Sequence, residues 1–230
     1  AIDPEGWYIA EVGGEVAGTV AIGNYDAHYS HGGFFIIRED MRSRGIGWNL
    51  SSTAIRHAGS RNLGIDGVYE MQDKYSSRMG FRFSHRNIRW RGIAKGKKQP
   101  DLCSVQDVPF HVLLAYDSLH FPAERKAFLE KWIHVPDSWS SACYESGVLE
   151  GYGVIRRCHE GFKIGPLFAD SPVIASRILD DLTAGDEVRG QPFFFDTPEP
   201  NNDAVRMARE RKMEEIFGTA RMYSREIPAL

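Results

Sequence analysis

The sequence predicts an α/β (α+β) fold made of two halves in tandem, each a mixed, mostly antiparallel sheet flanked by helices. Three observations lead there. Short β-prone runs and helix-periodic runs succeed one another as β-β-β-α-β-α-β up to Trp90. The same order returns beyond residue 105, preceded by two helical stretches. Between them, residues 91–100 (RGIAKGKKQP) have no apolar period and carry Gly, Pro and four basic side chains, the composition of a linker. Local identity between the halves is low, so the repeat is one of pattern. The predicted bounds are 1–92 for the first domain, 93–104 for the linker and 105–230 for the second domain.

Each element has its own signal. Residues 7–12 and 15–22 are β-prone runs about Gly13-Gly14, a dipeptide suited to a tight hairpin turn. A polar stretch, 24–33, reads as a loop before the apolar strand 34–38. Ile46, Leu50, Ala54 and Ala58 recur every four residues along one helix face, which Gly59 ends. Residues 66–71 read as a strand, 72–79 as a short helix and 81–90 as a strand after Gly80. In the second half, 105–116 and 122–133 read as helices, with Pro122 in the first turn of the latter. Residues 141–145 and 151–156 form a hairpin about Ser146-Gly147. A strand (162–168), a helix (172–182), a strand (192–196), a helix (203–217, capped by Asn201 or Asn202) and a strand (220–225) follow.

Composition narrows the class. With 230 residues, 42% hydrophobic and 26% charged, the chain has the make-up of a soluble globular protein. A formal net charge of −3 argues against an overall basic nucleic-acid binder, with residues 86–98 one candidate for a local basic patch. No apolar run is long enough to cross a membrane, and the first residues lack the pattern of a signal peptide. Cys103, Cys143 and Cys158 form no CxxC pair and read as free thiols of a reducing compartment, so a cytoplasmic protein is expected. His28 and His31 are spaced HxxH without a third ligand nearby, so no metal is expected.

The sharpest motif is Arg42-Ser43-Arg44-Gly45-Ile46-Gly47, between a strand and a helix. A diphosphate needs several converging N–H groups and partial positive charge, which a glycine-containing turn at a helix N-terminus supplies. Gly45 and Gly47 let the backbone approach, and Arg42 and Arg44 can add charge-assisted hydrogen bonds. Neither GxxxxGK[ST] nor GxGxxG is present. A solvated glycine-rich connection is the competing reading of these six residues taken alone.

Strand, R-x-x-G-x-G, helix, strand, then a short helix ending in Met79-Gly80-Phe81 resembles the GNAT superfamily of N-acetyltransferases, over roughly residues 6–90. The resemblance implies acetyl-CoA as co-substrate, its diphosphate on Arg42, Ser43, Arg44, Gly45, Ile46 and Gly47. It also implies a splayed strand whose amides at Ile36 and Ile37 hold the pantetheine and polarise the thioester carbonyl. Members usually begin with a strand and two helices, so the first half is read as lacking its N-terminal elements. Many carry a tyrosine general acid four residues before the Gly-Phe glycine. That place is Ser76 here, and Tyr75, one residue earlier, is the expected acid. Glu70, at the end of its strand, is the expected base.

The second half resembles a GNAT-like C-terminal domain found fused behind a GNAT domain. Gly151-Tyr152-Gly153-Val154-Ile155-Arg156, residues 161–170, Pro198-Glu199-Pro200-Asn201 and Ala220-Arg221-Met222-Tyr223 carry this likeness. After Phe168-Ala169-Asp170 no R-x-x-G-x-G follows, and Lys212-Met213 stands where the fold usually has Gly before an apolar residue. This half is therefore expected to shape an acceptor pocket through Tyr152, Lys163 and Glu199 and to hold no second CoA. The expected activity is acyl transfer from CoA to a primary amine, a small molecule or a peptide, with no nucleic-acid or membrane partner. A non-catalytic acyl-CoA-binding or assembly module is the alternative.

Overall fold

Gly13 and Gly14 take φ of 64° and 83°, the left-handed pair a two-residue hairpin needs. They join β1 (Trp7–Val12) to β2 (Glu15–Asn24). The computed structural model describes residues 3–229 and divides into two units. The first holds residues 3–84, Pro122–Glu124 and Thr219–Ala229; the second holds His85–Phe121 and Arg125–Gly218.

In the first unit β3 (Tyr29–Ile37), α1 (Ile46–Ala58), β4 (Asn62–Val68) and α2 (Gln72–Met79) follow the hairpin. The parallel pair β3–β4 is joined through α1, as a parallel pairing requires a crossover. Helix α1 lays Leu50, Ala54 and Ala58 against Val20, Ile22 and Leu63. The other face of β1–β3 leaves Trp7, Ile9, Phe34 and Ile36 exposed. On its other side β4 pairs with the end of β10 (Glu214–Tyr223), Thr219–Tyr223 running antiparallel to Val68–Gly64. Ala220 and Met222, both fully buried, thereby enter the first unit's core.

The second unit repeats this plan. It contains α3 (Phe110–Asp117), α4 (Lys126–Trp132), β6 (Ser138–Glu145), β7 (Val148–Arg157), β8 (Phe162–Ala169), α5 (Pro172–Leu182), β9 (Pro192–Pro198) and α6 (Asn202–Glu210). Strands β8 and β9 are parallel, and β7–β8 and β6–β7 are antiparallel. The partner of β9 on its other side is β5 (Arg82–Ile93), through Asn87–Ile93. One core, with Phe162, Ile178, Leu179 and Phe195, lies under α5 and α6; another, with Leu113, Leu129 and Tyr152, lies under α3 and α4. The latter is tied by a fork of two 2.7 Å hydrogen bonds from Arg125 to the fully buried Asp117, which also accepts from the Tyr152 hydroxyl. Removing one partner of such a pair strands a buried charge and costs about 3–5 kcal/mol.

Several elements depart from the sequence reading. The units cut across the 1–92 and 105–230 division: residues 219–223 of β10 pair with β4 in the first unit, and residues 85–93 of β5 belong to the second. Periodicity marks a strand but not the neighbour it finds. Strand β3 begins at Tyr29, inside the expected loop 24–33, since Tyr29 is buried and pairs with Asn62. The expected linker is tied down: Arg91–Ile93 complete β5, Ala94 is fully buried, and Gln99 donates its N–H to Asp181. Its basic side chains advertise exposure while its backbone is fixed. The expected helix 105–116 splits into a 3₁₀ turn, Val105–Asp107, and α3, whose N-cap is Pro109. Helix α4 starts four residues after Pro122, with Arg125 at its N-cap drawn onto Asp117. Helix α6 ends at Glu210; Lys212 takes φ 55°, standing in for the glycine the fold usually has, and Ile216 and Phe217 continue into β10.

Candidate active site

Pairing between β3 and β4 stops at Gly32 and Ile65. Beyond that point each strand keeps its outer neighbour, Gly33–Ile37 on β2 and Asp66–Val68 on β10, so the two part. Strand β3 also carries one extra residue: Ile36 and Gly33 face Thr19 and Ala21, with Phe34 and Phe35 set against Val20 alone. Phe34 adopts φ 54°, and its carbonyl accepts the Thr19 hydroxyl at 2.9 Å. Such a bulge turns the strand end away from the ladder. A cavity of about 260 Å³ opens in the gap, walled by residues 33–36 of β3, 66–68 of β4, and Tyr75 and Met79 of α2. Ile36 lines it, and Ile37 turns towards the core.

The loop after β3 leads into the open end of α1. Gly45 is the N-cap, at φ 80°, and no side chain caps the helix. The first intrahelical bond runs from Asn49 N–H to the Gly45 carbonyl at 3.1 Å. The N–H groups of Ile46, Gly47 and Trp48 therefore lie before the ladder begins, at the positive end of the helix dipole. A Cβ on Gly45 would meet nothing within 4 Å, whereas one on Gly47 would press on Ile37 and Phe35 at 3.3 and 3.4 Å. Arg42 and Ser43 are exposed, with Arg42 Nε donating to the Ile37 carbonyl at 3.2 Å. Arg44 is exposed beside Met41. The neighbouring Asp40 is neutralised by Arg38, whose hydrogen bonds hold its carboxyl below the usual range.

Tyr75 faces the cavity and Ser76, next on α2, faces solvent. The Tyr75 ring lies over Gly67, where any Cβ would overlap Cε2, and burial pushes its phenol pKa up. Glu70 sits exposed on the 3₁₀ turn Tyr69–Met71 and is not among the residues that wall the cavity.

A polar constellation that the sequence reading missed stands where β3 and β4 part. Arg221 of β10 forks onto Asp66 of β4 through Nε at 2.7 Å and Nη2 at 2.8 Å. His31 Nε2 lies 3.5 Å from Asp66 Oδ2, and His31 Nδ1 meets the hydroxyl of buried Tyr29 at 2.8 Å. Burial alone would raise the Asp66 pKa, but the neighbouring His31 and the Arg221 charge outweigh it and hold the carboxyl far below its usual range. His31 carried only an HxxH signal, and nothing in sequence marks Arg221 as its neighbour.

The second unit has the counterpart at the same register. Lys163 pairs with Phe194, Asp196 lies two residues on, and Arg89 faces Asp196 across the ladder. Likewise His31 pairs with Gly64, Asp66 lies two residues on, and Arg221 faces Asp66. Arg89 forks onto Asp196 at 2.8 and 3.0 Å, and Lys163 Nζ lies 2.6 Å from the same carboxylate. Burial pushes the Lys163 pKa down against that attraction. Lys163 is thus committed to an ion pair. Tyr152, expected at an acceptor pocket, is instead wholly enclosed in the core under α3 and α4 with its hydroxyl on Asp117. Glu199 is exposed on the turn after β9, where its N–H donates to the Arg86 carbonyl at 2.8 Å. Helix α5 begins differently from α1: Ser171 accepts the Ile174 N–H, and Pro172 occupies the first turn. Among the described residues no cluster of three or more His, Cys, Asp or Glu could hold a metal, and no helix is long and apolar enough to cross a membrane.

Comparison with known proteins matches residues 113–229 to an acetyltransferase (GNAT) domain and residues 1–75 to the acetyltransferase (GNAT) family. The chain is 26% identical to holothin acyltransferase of Pseudoalteromonas sp. (strain SANK 73390), over 99% of this chain and 77% of that protein. An uncharacterised N-acetyltransferase, YitH of Bacillus subtilis (strain 168), is 31% identical over 44% of this chain and 35% of its own length. Two solved structures share the fold. A Pyrococcus horikoshii protein assigned as an acetyltransferase superposes with a TM-score of 0.81 at 23% identity, over 96% of this chain and 74% of that one. A tandem GNAT protein from the clavulanic acid biosynthesis pathway superposes with 0.68 at 14% identity, over 99% and 86%.

Proposed function

Because the chain belongs to the GNAT acetyltransferase family, we propose that it transfers an acyl group from acyl-CoA to a primary amine, with the donor held by the first unit alone. The observation that carries this reading is the uncapped start of α1 beside the parted strands. Three N–H groups and the arginines Arg42 and Arg44 offer a cradle for a diphosphate. The cavity next to it gives the pantetheine and thioester a path between β3 and β4. The space around the Gly45 Cβ position suits a ligand that the backbone must approach closely.

In this reading an amide N–H at the end of β3, at Ile36 or Ile37, polarises the thioester carbonyl as an oxyanion-hole donor. Tyr75, which faces the cavity and keeps its proton in that buried setting, protonates the departing thiolate. Holding thioester and amine side by side makes attack effectively intramolecular. Tyr75→Phe is expected to lower kcat at least tenfold while acetyl-CoA affinity stays within about twofold; an unchanged kcat would remove Tyr75 from the mechanism.

Titration calorimetry with acetyl-CoA tests the donor site. One molecule should bind per chain, and Gly45→Glu should weaken binding about 100-fold, ~2.7 kcal/mol. Gly45→Ala shares the backbone strain at φ 80° without the charge and should lose less. Parent-like affinity in Gly45→Glu, or two comparable sites per chain, would refute the placement.

A further inference from the structure

The donor cradle leaves one part of the first unit unused: the chain of polar groups Tyr29–His31–Asp66–Arg221 on the sheet face away from α1. It reaches the cavity at Asp66, the one charged residue among those lining it. It is also built, since Gly64 has no room for a Cβ against Tyr29 Oη and lies close to His31 Nδ1 and Tyr223. Solvent still reaches it: 24% of the His31 side chain and 29% of Asp66 are exposed.

We propose that His31 and Asp66 form the acceptor side of the site, Asp66 receiving the ammonium of a primary amine and His31 Nε2 taking its proton, with Arg221 as the positioning residue. This rests on the acyl-transfer reading above. Arg221 and His31 keep Asp66 ionised far below neutral pH, which makes it a durable counter-ion and a poor base. The proton must therefore pass to a group that accepts near neutral pH, and imidazole is the side chain that does so. Tyr29 occupies Nδ1, so Nε2 is the nitrogen turned to Asp66. In the tautomer whose Nδ1–H donates to Tyr29 Oη, Nε2 keeps its lone pair, and its 3.5 Å distance from Oδ2 lets both atoms face one ammonium nitrogen.

The step balances. The ammonium gives one proton to His31 Nε2, and the freed lone pair forms the C–N bond at the thioester carbonyl. As the C–S bond breaks, sulfur leaves with its electron pair. The second proton lost by nitrogen ends on that sulfur by way of Tyr75, and the imidazolium releases its proton to solvent. The titratable groups facing His31 are Tyr29 on its own strand, Asp66 on β4, and Arg221 and Tyr223 on β10; β2 brings only Gly23 opposite it.

The second unit supplies the contrast that shapes the test. There the position of His31 is held by Lys163, whose ammonium keeps the ion pair but takes up no proton near neutral pH. His31→Lys therefore puts an ammonium beside Asp66, as in the second unit, and removes the imidazole. Parent, His31→Lys and His31→Gln would be assayed for acetyl transfer to a panel of primary amines from pH 5 to 10, with acetyl-CoA affinity measured separately by calorimetry. Both variants should bind acetyl-CoA within twofold of the parent. His31→Gln should lose about 100-fold in kcat, the usual worth of a general base, and its pH profile should differ from the parent's. His31→Lys should be equally slow at pH 7 and recover towards pH 10. A folded His31→Gln with the parent's kcat and pH profile would overturn the proposal. A parent that binds no acetyl-CoA would overturn the acyl-transfer reading, and this proposal with it.

Discussion

Helices α1 and α5 follow the same parted strand in their respective units, yet they begin in opposite ways. The first starts on a left-handed glycine with its N–H groups uncapped; the second starts on Ser171, which accepts one of those N–H groups, and on Pro172, which has none to offer. The triads differ in the same sense. Asp66 lines a cavity with an imidazole beside it, whereas Asp196 is clamped between Arg89 and Lys163. In the second unit α3 and α4 pack onto a core of their own, while the first exposes Trp7, Ile9, Phe34 and Ile36. One architecture thus leaves a helix start without a side-chain cap in one copy and caps it in the other.

That contrast can be broken most sharply at the two arginines. Arg221→Met should cut kcat about tenfold or more, because Asp66 loses the fork that fixes it, while Arg89→Met should leave kcat near parental and lower stability only. Both carboxylates have folded pKa values below the ordinary one. For Asp196 burial pushes upward, and the Arg89 hydrogen bond and Lys163 charge outweigh it; Asp66 behaves likewise. Each therefore contributes stability that is fully present above about pH 4 and is lost as pH falls through the folded value. Urea titrations should show the gap between parent and either variant widest above pH 4 and closing towards pH 2. A gap that widened in acid would reverse the assignment.

The smallest effect sharpens the comparison at the helix starts. Ser171→Ala removes the α5 cap and should cost about 1 kcal/mol of stability. It should not create a second acetyl-CoA site, because arginines and paired glycines are still missing there. Thermal unfolding and calorimetric stoichiometry check the two halves of this statement; a new site would mean that an open helix start suffices.

Much of this was legible in sequence, for local reasons. The Gly13-Gly14 hairpin, the four-residue period of α1 and the turn at Ser146-Gly147 are signals carried by adjacent residues, and the structure has those elements where they predict. The uncapped start of α1 follows from Gly45 itself. What stayed hidden was pairing across long separations. No property of Ala220-Arg221-Met222 says that they flank residues 65–67, and no property of Tyr152 says that Asp117 lies above it. His31 was weighed only as a metal ligand, because its partners come from strands whose register a sequence does not state. A single residue of slip also mattered: Tyr75 reaches the cavity from one position before the expected place, since α2 turns that face inward.

The pairing of β4 with residues 219–223 has a consequence for how the chain is made. A ribosome delivers β4 well before its neighbour. Until then the β4 edge from Gly64 to Val68 is a row of unpaired N–H and C=O groups, and Leu63 and Phe81 lack the cover of Ala220 and Met222. An open edge of that kind invites mispairing with other nascent chains. The first unit can finish folding only once residues 219–223 have been made, so residues 42–47 wait for a strand that follows the second unit's stretch 125–218.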